Sequence, residues 1–137
     1  MNATGTIRWV RAALLVGVLY LVIGLVTAAF ANSAASNQVR GAWRLAAWVI
    51  SAAAFAAHIG YENIRLRTSH RTTAWHVALG AGLGAFGLAV AASLHGHAVH
   101  RPFPAFALAV WPIMTALPAF LVALLVATVL TRARHRT

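Results

Sequence analysis

The most informative features of this sequence are the residues that it lacks. Its 137 residues include no cysteine, no lysine and only one acidic side chain, Glu62. The lack of cysteine excludes disulfides, thiolate metal sites and cysteine catalysis. Charged residues make up 9% of the chain, whereas a soluble domain carries about a quarter. Because the chain has too little polar surface to cover a soluble core, we expect it to reside in lipid.

The basic residues greatly outnumber the acidic ones. Eleven arginines stand against one glutamate, and the formal net charge is +10. A nucleic-acid-binding protein would gather such residues on one face, but here they occur in short clusters between long apolar runs. That placement is typical of the positive-inside rule, and it favours contact with anionic lipids at the cytoplasmic face. We therefore expect the bilayer, and no nucleic acid, as a partner.

Four apolar runs predict four transmembrane helices. The runs cover about residues 9–30, 43–61, 74–94 and 105–131, and each reaches the ~20 residues that a helix needs to cross the hydrocarbon core. An open sheet would leave backbone groups unpaired in lipid. Short loops make successive helices antiparallel neighbours. The sequence thus predicts one all-α domain, residues 1–137, that forms an up-down bundle of four transmembrane helices.

The first apolar run also resembles a secretory signal, because it ends in Ala29-Phe30-Ala31. A signal peptidase cleaves at an Ala-x-Ala motif of this kind when it follows an apolar stretch of roughly 7–15 residues. The run here is longer than that, so we expect it to be retained as the first span.

The distribution of arginine predicts the orientation. With four spans, the termini and the middle loop share one side, which holds Arg8, Arg11, Arg65, Arg67, Arg71, Arg132, Arg134 and Arg136. The other side holds Arg40, Arg44 and Arg101. Arginine concentrates in cytoplasmic segments. We therefore expect a multi-pass protein of the cell inner membrane with both termini in the cytoplasm.

Span two carries a stripe of polar residues. Arg44, Ser51, His58 and Glu62 lie within about 40° of one another on a helical wheel. Polar groups in lipid are costly, so this stripe is expected to face the bundle interior or a subunit interface, as a candidate ligand or ion path. We expect Glu62 to form an ion pair with Arg65 at the membrane interface. The alternative is that this lone acid supports coupled proton or cation transport.

Span three carries a stripe of small residues, Gly80, Gly84, Gly87 and Ala91. Such a stripe allows another helix, or a flat cofactor, to approach closely. We expect helix packing.

Histidines offer two alternative cofactor sites. His58 and His76, near the facing ends of spans two and three, could hold haem b, with the glycine stripe giving a porphyrin room. His95, His97 and His100 could ligate a divalent metal such as zinc. No second histidine pair lies across the membrane from His58 and His76, and no acid or thiol would complete the site at the outer histidines. We therefore expect neither cofactor.

Two prolines, Pro112 and Pro118, leave the fourth span open to two interpretations. A proline inside a helix kinks it, whereas in the first turn it is tolerated. Either span four is kinked, or it begins at Pro112.

No arrangement of side chains indicates catalysis, because no nucleophile has a base with an orienting partner. We therefore expect a non-enzymatic membrane protein, either an accessory subunit or a small oligomeric transporter or channel. Its small-residue faces favour a homo-oligomer or a larger membrane complex. The alternative function is a haem- or metal-binding redox protein that uses the histidines above.

Overall fold

The computed structural model describes residues 3–66, 68–98 and 105–134, and that part of the chain is helical apart from its turns. The helices are α1 (Ala3–Ser33), α2 (Asn37–Ile64), α3 (His70–Ala98) and α4 (Ala107–Arg134). Each is long and apolar enough to cross a membrane. The chain is therefore a multi-pass membrane protein, and the predicted all-α fold with four spanning helices is confirmed.

The helices extend further into the loops than the hydropathy predicts. At ~1.5 Å per residue, 28 to 31 residues reach roughly 42–46 Å, which exceeds the ~30 Å hydrocarbon core. Polar side chains stabilise these ends. The Ser36 hydroxyl accepts a hydrogen bond from the Val39 N–H, and Arg40 Nε donates to the Ala31 carbonyl at the end of α1. Glu62, one residue beyond the apolar run that predicts the second span, lies in the last turn of α2.

The fourth helix contains both prolines in its interior. Main-chain bonds from Leu108 and Ala109 back to Ala105 and Phe106 form its first turn, so α4 begins at Ala107. The alternative in which span four begins at Pro112 is wrong, because Pro112 lies more than one turn inside the helix.

The buried core consists mostly of small residues. Ala74, Ala123 and Ala127 are fully buried, whereas Leu15 and Trp48 are 72% and 77% exposed. In lipid, large apolar side chains gain nothing from avoiding the solvent, and close helix contact depends on small residues. This distribution is therefore that of a bundle whose outer surface faces hydrocarbon chains.

α3 is the central helix of the bundle. It packs along α4 on one side and α1 on the other, while α2 packs on α1 and meets α3 and α4 over shorter stretches. The glycine stripe of α3 faces α1, since a methyl group added at Gly84 would lie 2.5 Å from Tyr20 Cβ. The expected helix-packing role of the stripe is confirmed. Its main partner is α1, and α2, the sequence neighbour, meets it through His58 at Gly80.

Candidate functional site

The only acidic side chain of the protein is buried between two histidines. Glu62 has no exposed surface. Its Oε2 lies 2.9 Å from Nδ1 of His76, and its Oε1 lies 3.8 Å from Nε2 of His58, one turn earlier on α2. Both rings are buried as well. We refer to Glu62, His58 and His76 as the carboxylate cluster.

The loop between α2 and α3 places His76 against Glu62. The Thr68 hydroxyl contacts the Glu62 carbonyl (3.1 Å) and the Glu62 carboxylate (3.3 Å), and it shares a 2.8 Å hydrogen bond with the buried Thr73 hydroxyl. Ser69 then accepts a hydrogen bond from the Thr72 N–H and caps α3. This tight connection brings the first turns of α3 beside the last turn of α2.

An aromatic ring of α1 covers the other side of the cluster. The Trp9 ring stacks on His76 with a centroid distance of 4.5 Å and an interplanar angle of 5°. A flat stack of this kind holds the imidazole plane in place and excludes water from its face. Three helices therefore position the carboxylate cluster: α2 supplies Glu62 and His58, α3 supplies His76, and α1 supplies the covering ring.

His58 differs from His76 in its bonding. Among the described residues, neither of its buried ring nitrogens has a hydrogen-bond partner, because 3.8 Å is too long for one. His58 also lines a groove of about 460 Å³ between α1 and α2, together with Arg11 and Tyr61 near the helix ends. Arg11 and Tyr61 are exposed. The groove thus runs from the His58 side chain, whose ring nitrogens are covered, to the polar end of the bundle.

This arrangement can hold and exchange protons. An ionised carboxylate only accepts hydrogen bonds, whereas imidazole can donate, accept or carry a charge. Burying an isolated charge is very unfavourable. A carboxylate paired with one imidazolium has no net charge. The apolar interior therefore favours the state in which one of the two imidazoles of the cluster is protonated. Adding a proton to this neutral cluster, or removing one from it, leaves a buried net charge and favours a rearrangement of the side chains or helices around it.

The expected ion pair between Glu62 and Arg65 is not formed. Arg65 is exposed beyond the end of α2, and the ion pairs of Glu62 within the described part of the chain are those with His58 and His76. The physical reason is the direction of the side chain. Glu62 points towards α3, into the bundle, while Arg65 turns towards the polar surface.

The other residues of the predicted polar stripe lie apart from the cluster. Ser51 is half-buried and lines a separate apolar cavity in the middle of the bundle, and Arg44 is exposed near the opposite end of α2. The shared helical face is real, but 18 residues separate Arg44 from Glu62, which is roughly 27 Å of helix. The four side chains therefore do not form one compact site.

The space that a haem would need between His58 and His76 is occupied by other parts of the protein. The two oxygens of Glu62 face the two histidines, so the carboxylate lies where an iron shared by those nitrogens would be. A methyl group on Gly80 would already contact His58, Val16 and Ala13. The glycine stripe is thus filled by α1 and by His58, and it offers a porphyrin no room.

The outer histidines are only partly described. His95 is exposed, while the side chain of His97 and all of His100 lie outside the described residues. Within the residues that are described, no group of three or more His, Asp or Glu side chains could hold a metal ion.

Three residues that contact the cluster were not among the predicted site residues: Trp9, Thr68 and Thr73. A tryptophan at the start of an apolar helix is a usual membrane-interface anchor, so nothing in its position indicated a histidine partner. A signal did exist for the threonines: both lie between Glu62 and His76 in the sequence, Thr68 in the loop after α2 and Thr73 in the first turn of α3.

Comparisons of this chain with models of known protein families, with curated proteins and with solved structures found no match.

Proposed function

We propose that this chain is a small proton-coupled membrane transport protein in which the carboxylate cluster holds the exchangeable proton. The observation that carries the proposal is the complete burial of Glu62 against His58 and His76 inside spanning helices. Ionisable groups within a membrane are costly and mark ion pathways and proton relays. An accessory subunit needs no such group, so the cluster favours transport over that alternative.

The direction of proton entry follows from the groove between α1 and α2. Protons reach His58 along this groove, and His58 passes them to Glu62, whose second oxygen is bonded to His76. The cluster is neutral with one proton shared as an imidazolium–carboxylate pair. Loss of that proton leaves a buried anion, and the rearrangement that relieves it provides the coupling to solute movement.

Infrared spectroscopy tests proton binding directly, because the chain has a single acidic side chain. Labelling with ¹³C-glutamate identifies the carboxyl band of Glu62. We expect this band to change when the pH is varied between about 4 and 9, because a change in the charge of either imidazole alters its contact with the carboxylate. Glu62→Gln should abolish the change, and His70→Ala, an exposed histidine on α3, should retain it. An isotope-sensitive band that stays constant over this range would rule out the proposed proton site.

Transport is tested in proteoliposomes that contain a pH-sensitive dye. With candidate solutes on one side, the wild-type protein should show solute-dependent collapse of a pH gradient, and Glu62→Gln should not. Solute movement that is the same in both proteins would show that Glu62 is not the coupling site.

We further propose that both termini face the cytoplasm in the inner membrane, where the arginine-rich ends contact anionic lipids. The end of the bundle that carries the cluster would then be the cytoplasmic one. Assembly into a homo-oligomer stays a prediction.

The orientation can be tested with single cysteines, because the chain has none of its own. Ala35 and His70 are exposed at opposite ends of the bundle. In intact cells, an impermeant thiol reagent should label Ala35→Cys and should not label His70→Cys until the membrane is permeabilised. The reverse pattern would invert the orientation.

A further inference from the structure

A second feature of the bundle is a cavity of about 400 Å³ in the middle of the membrane region. Its floor is formed by α1 and α3, and its sides are formed by α2 and α4, which meet only over a short stretch. Trp48 and Trp111 are exposed at its rim. We call it the four-helix cavity; it is lined by Tyr20, Gly24, Ala47, Trp48, Ser51, Ala52, Phe55, Ala81, Gly84, Ala85, Leu88, Trp111, Thr115 and Ala119.

The lining of the four-helix cavity is apolar and uncharged, with a few hydroxyl groups. Thr115 donates its hydroxyl to the carbonyl four residues earlier, as Thr27 and Ser93 do outside the cavity, the usual bond of such residues in helices. The half-buried Ser51, which lines the cavity, makes no such bond among the described residues. The Tyr20 hydroxyl is fully buried and does not reach the cavity surface. The Ser51 hydroxyl is thus available to a ligand.

These features define the chemistry of a suitable ligand. A volume of 400 Å³ falls within the ~300–1,000 Å³ of sites for small molecules, which combine apolar walls with a few polar groups. A charged ligand would be buried without a counter-charge, which is very unfavourable. Aromatic side chains at the cavity suit a flat aromatic body, and the free Ser51 hydroxyl suits a hydrogen-bond acceptor.

The four-helix cavity also ends close to the carboxylate cluster. Phe55 precedes His58 by three residues on α2, which is about 4.5 Å along the axis. On α3, the lining residue Ala81 follows Gly80, whose surface is in contact with His58. A ligand in the cavity and a proton in the cluster therefore act on the same short segment of α2 and α3.

We propose that the four-helix cavity binds an uncharged, lipophilic aromatic molecule with a hydrogen-bond acceptor, which enters sideways from the bilayer between α2 and α4. The further statement that this molecule is the transported substrate rests on the proposed proton-coupled function. The statement that the cavity binds it does not depend on that function.

Photolabelling with benzophenone tests the binding. This probe is uncharged, has two aryl rings, and carries a ketone that can accept a hydrogen bond. On irradiation its carbonyl carbon bonds to the carbon of a nearby C–H group, and the displaced hydrogen moves to the oxygen. In proteoliposomes we expect saturable labelling of the α2 and α4 segments that line the cavity, located by mass spectrometry. Labelling spread without saturation over lipid-facing residues would overturn the proposal and indicate that acyl chains fill the cavity.

Adjacent alanines on α2 provide a matched pair of variants. Ala52 and Ala53 are both exposed, but only Ala52 lines the cavity. Ala52→Phe should abolish saturable labelling, and Ala53→Phe should leave it unchanged. Ser51→Ala, which removes only a hydroxyl, should weaken labelling about two- to tenfold, as expected for one hydrogen bond. Equal effects of the two alanine variants, or no effect of Ser51→Ala, would contradict the assigned site.

Charged analogues and Glu62→Gln complete the test. Benzophenones that carry a trimethylammonium or a carboxylate group should not label the cavity, and preferential labelling by either would overturn the choice of an uncharged ligand. Glu62→Gln should still be labelled by benzophenone. If benzophenone labels the cavity but the Glu62 band does not respond to pH, the ligand-binding proposal stands and the proton-coupling proposal is refuted. If the Glu62 band responds to pH but the cavity is not labelled, the proton site stands and the ligand-binding proposal is refuted.

Discussion

His76→Ala is expected to lower the free energy of unfolding by about 3–5 kcal/mol, the range observed when one partner of a buried ion pair is removed. The 2.9 Å bond to Glu62 is lost, and the fully buried carboxylate retains only the longer contact with His58. Trp9 also loses the ring on which it stacks, which adds to the effect. Reversible unfolding in mixed detergent–SDS micelles measures this change.

A double-mutant cycle separates the ion pair from simple packing. In the Glu62→Gln background, His76→Ala should have a smaller effect, giving a coupling energy of about 1–3 kcal/mol, as found for residues in direct contact. The exposed His70 provides the control, since His70→Ala should stay within about 0.5 kcal/mol of the wild type. If the two substitutions proved additive, the cluster would have no energetic role in the fold.

Gly84→Ala is expected to destabilise the protein by about 1–3 kcal/mol, the usual effect of overpacking a closely packed interior. The added methyl group would lie 2.5 Å from Tyr20 Cβ and 3.1 Å from the Gly17 carbonyl oxygen. Neither atom is the end of a flexible side chain, so α1 and α3 must move apart. The same unfolding titration measures the loss.

Gly60→Ala is the matched control for that substitution. Gly60 also lies within a helix, but nothing lies within 4 Å of a methyl group placed there. Alanine is the better helix former by about 1 kcal/mol in water, so Gly60→Ala should leave stability unchanged or raise it slightly. A loss as large as that of Gly84→Ala would show that helix contact is not the reason for glycine at position 84.

The helical class and the number of spanning helices could be predicted from the sequence. The four apolar runs gave the number of helices, and the stripe that includes Gly80 and Gly84 correctly indicated close helix packing. The helix ends were less predictable, because hydropathy records only the part in the hydrocarbon core. Ser36 and Ser69 act outside that part, where hydrogen bonds and not hydropathy determine where a helix begins.

The candidate site could be predicted only in part. Helical spacing correctly placed His58 and Glu62 on one face of α2, one turn apart. It could not identify Arg65 as the wrong partner, because a residue three positions away is a plausible neighbour on any helix surface. The bond to His76 depends on how the loop after α2 folds, through Thr68 and Thr73, and this is a tertiary property.

The sequence by itself determined that this is a membrane protein with four spanning helices, because the length of an apolar run and the thickness of a bilayer leave no other structure that satisfies the backbone. Only the tertiary structure decided which helices meet. Periodicity defines a face of each helix but not the direction in which that face points. The packing of α1 against the glycines of α3 placed Trp9 on the ring of His76, and the limited contact between α2 and α4 left space for the four-helix cavity.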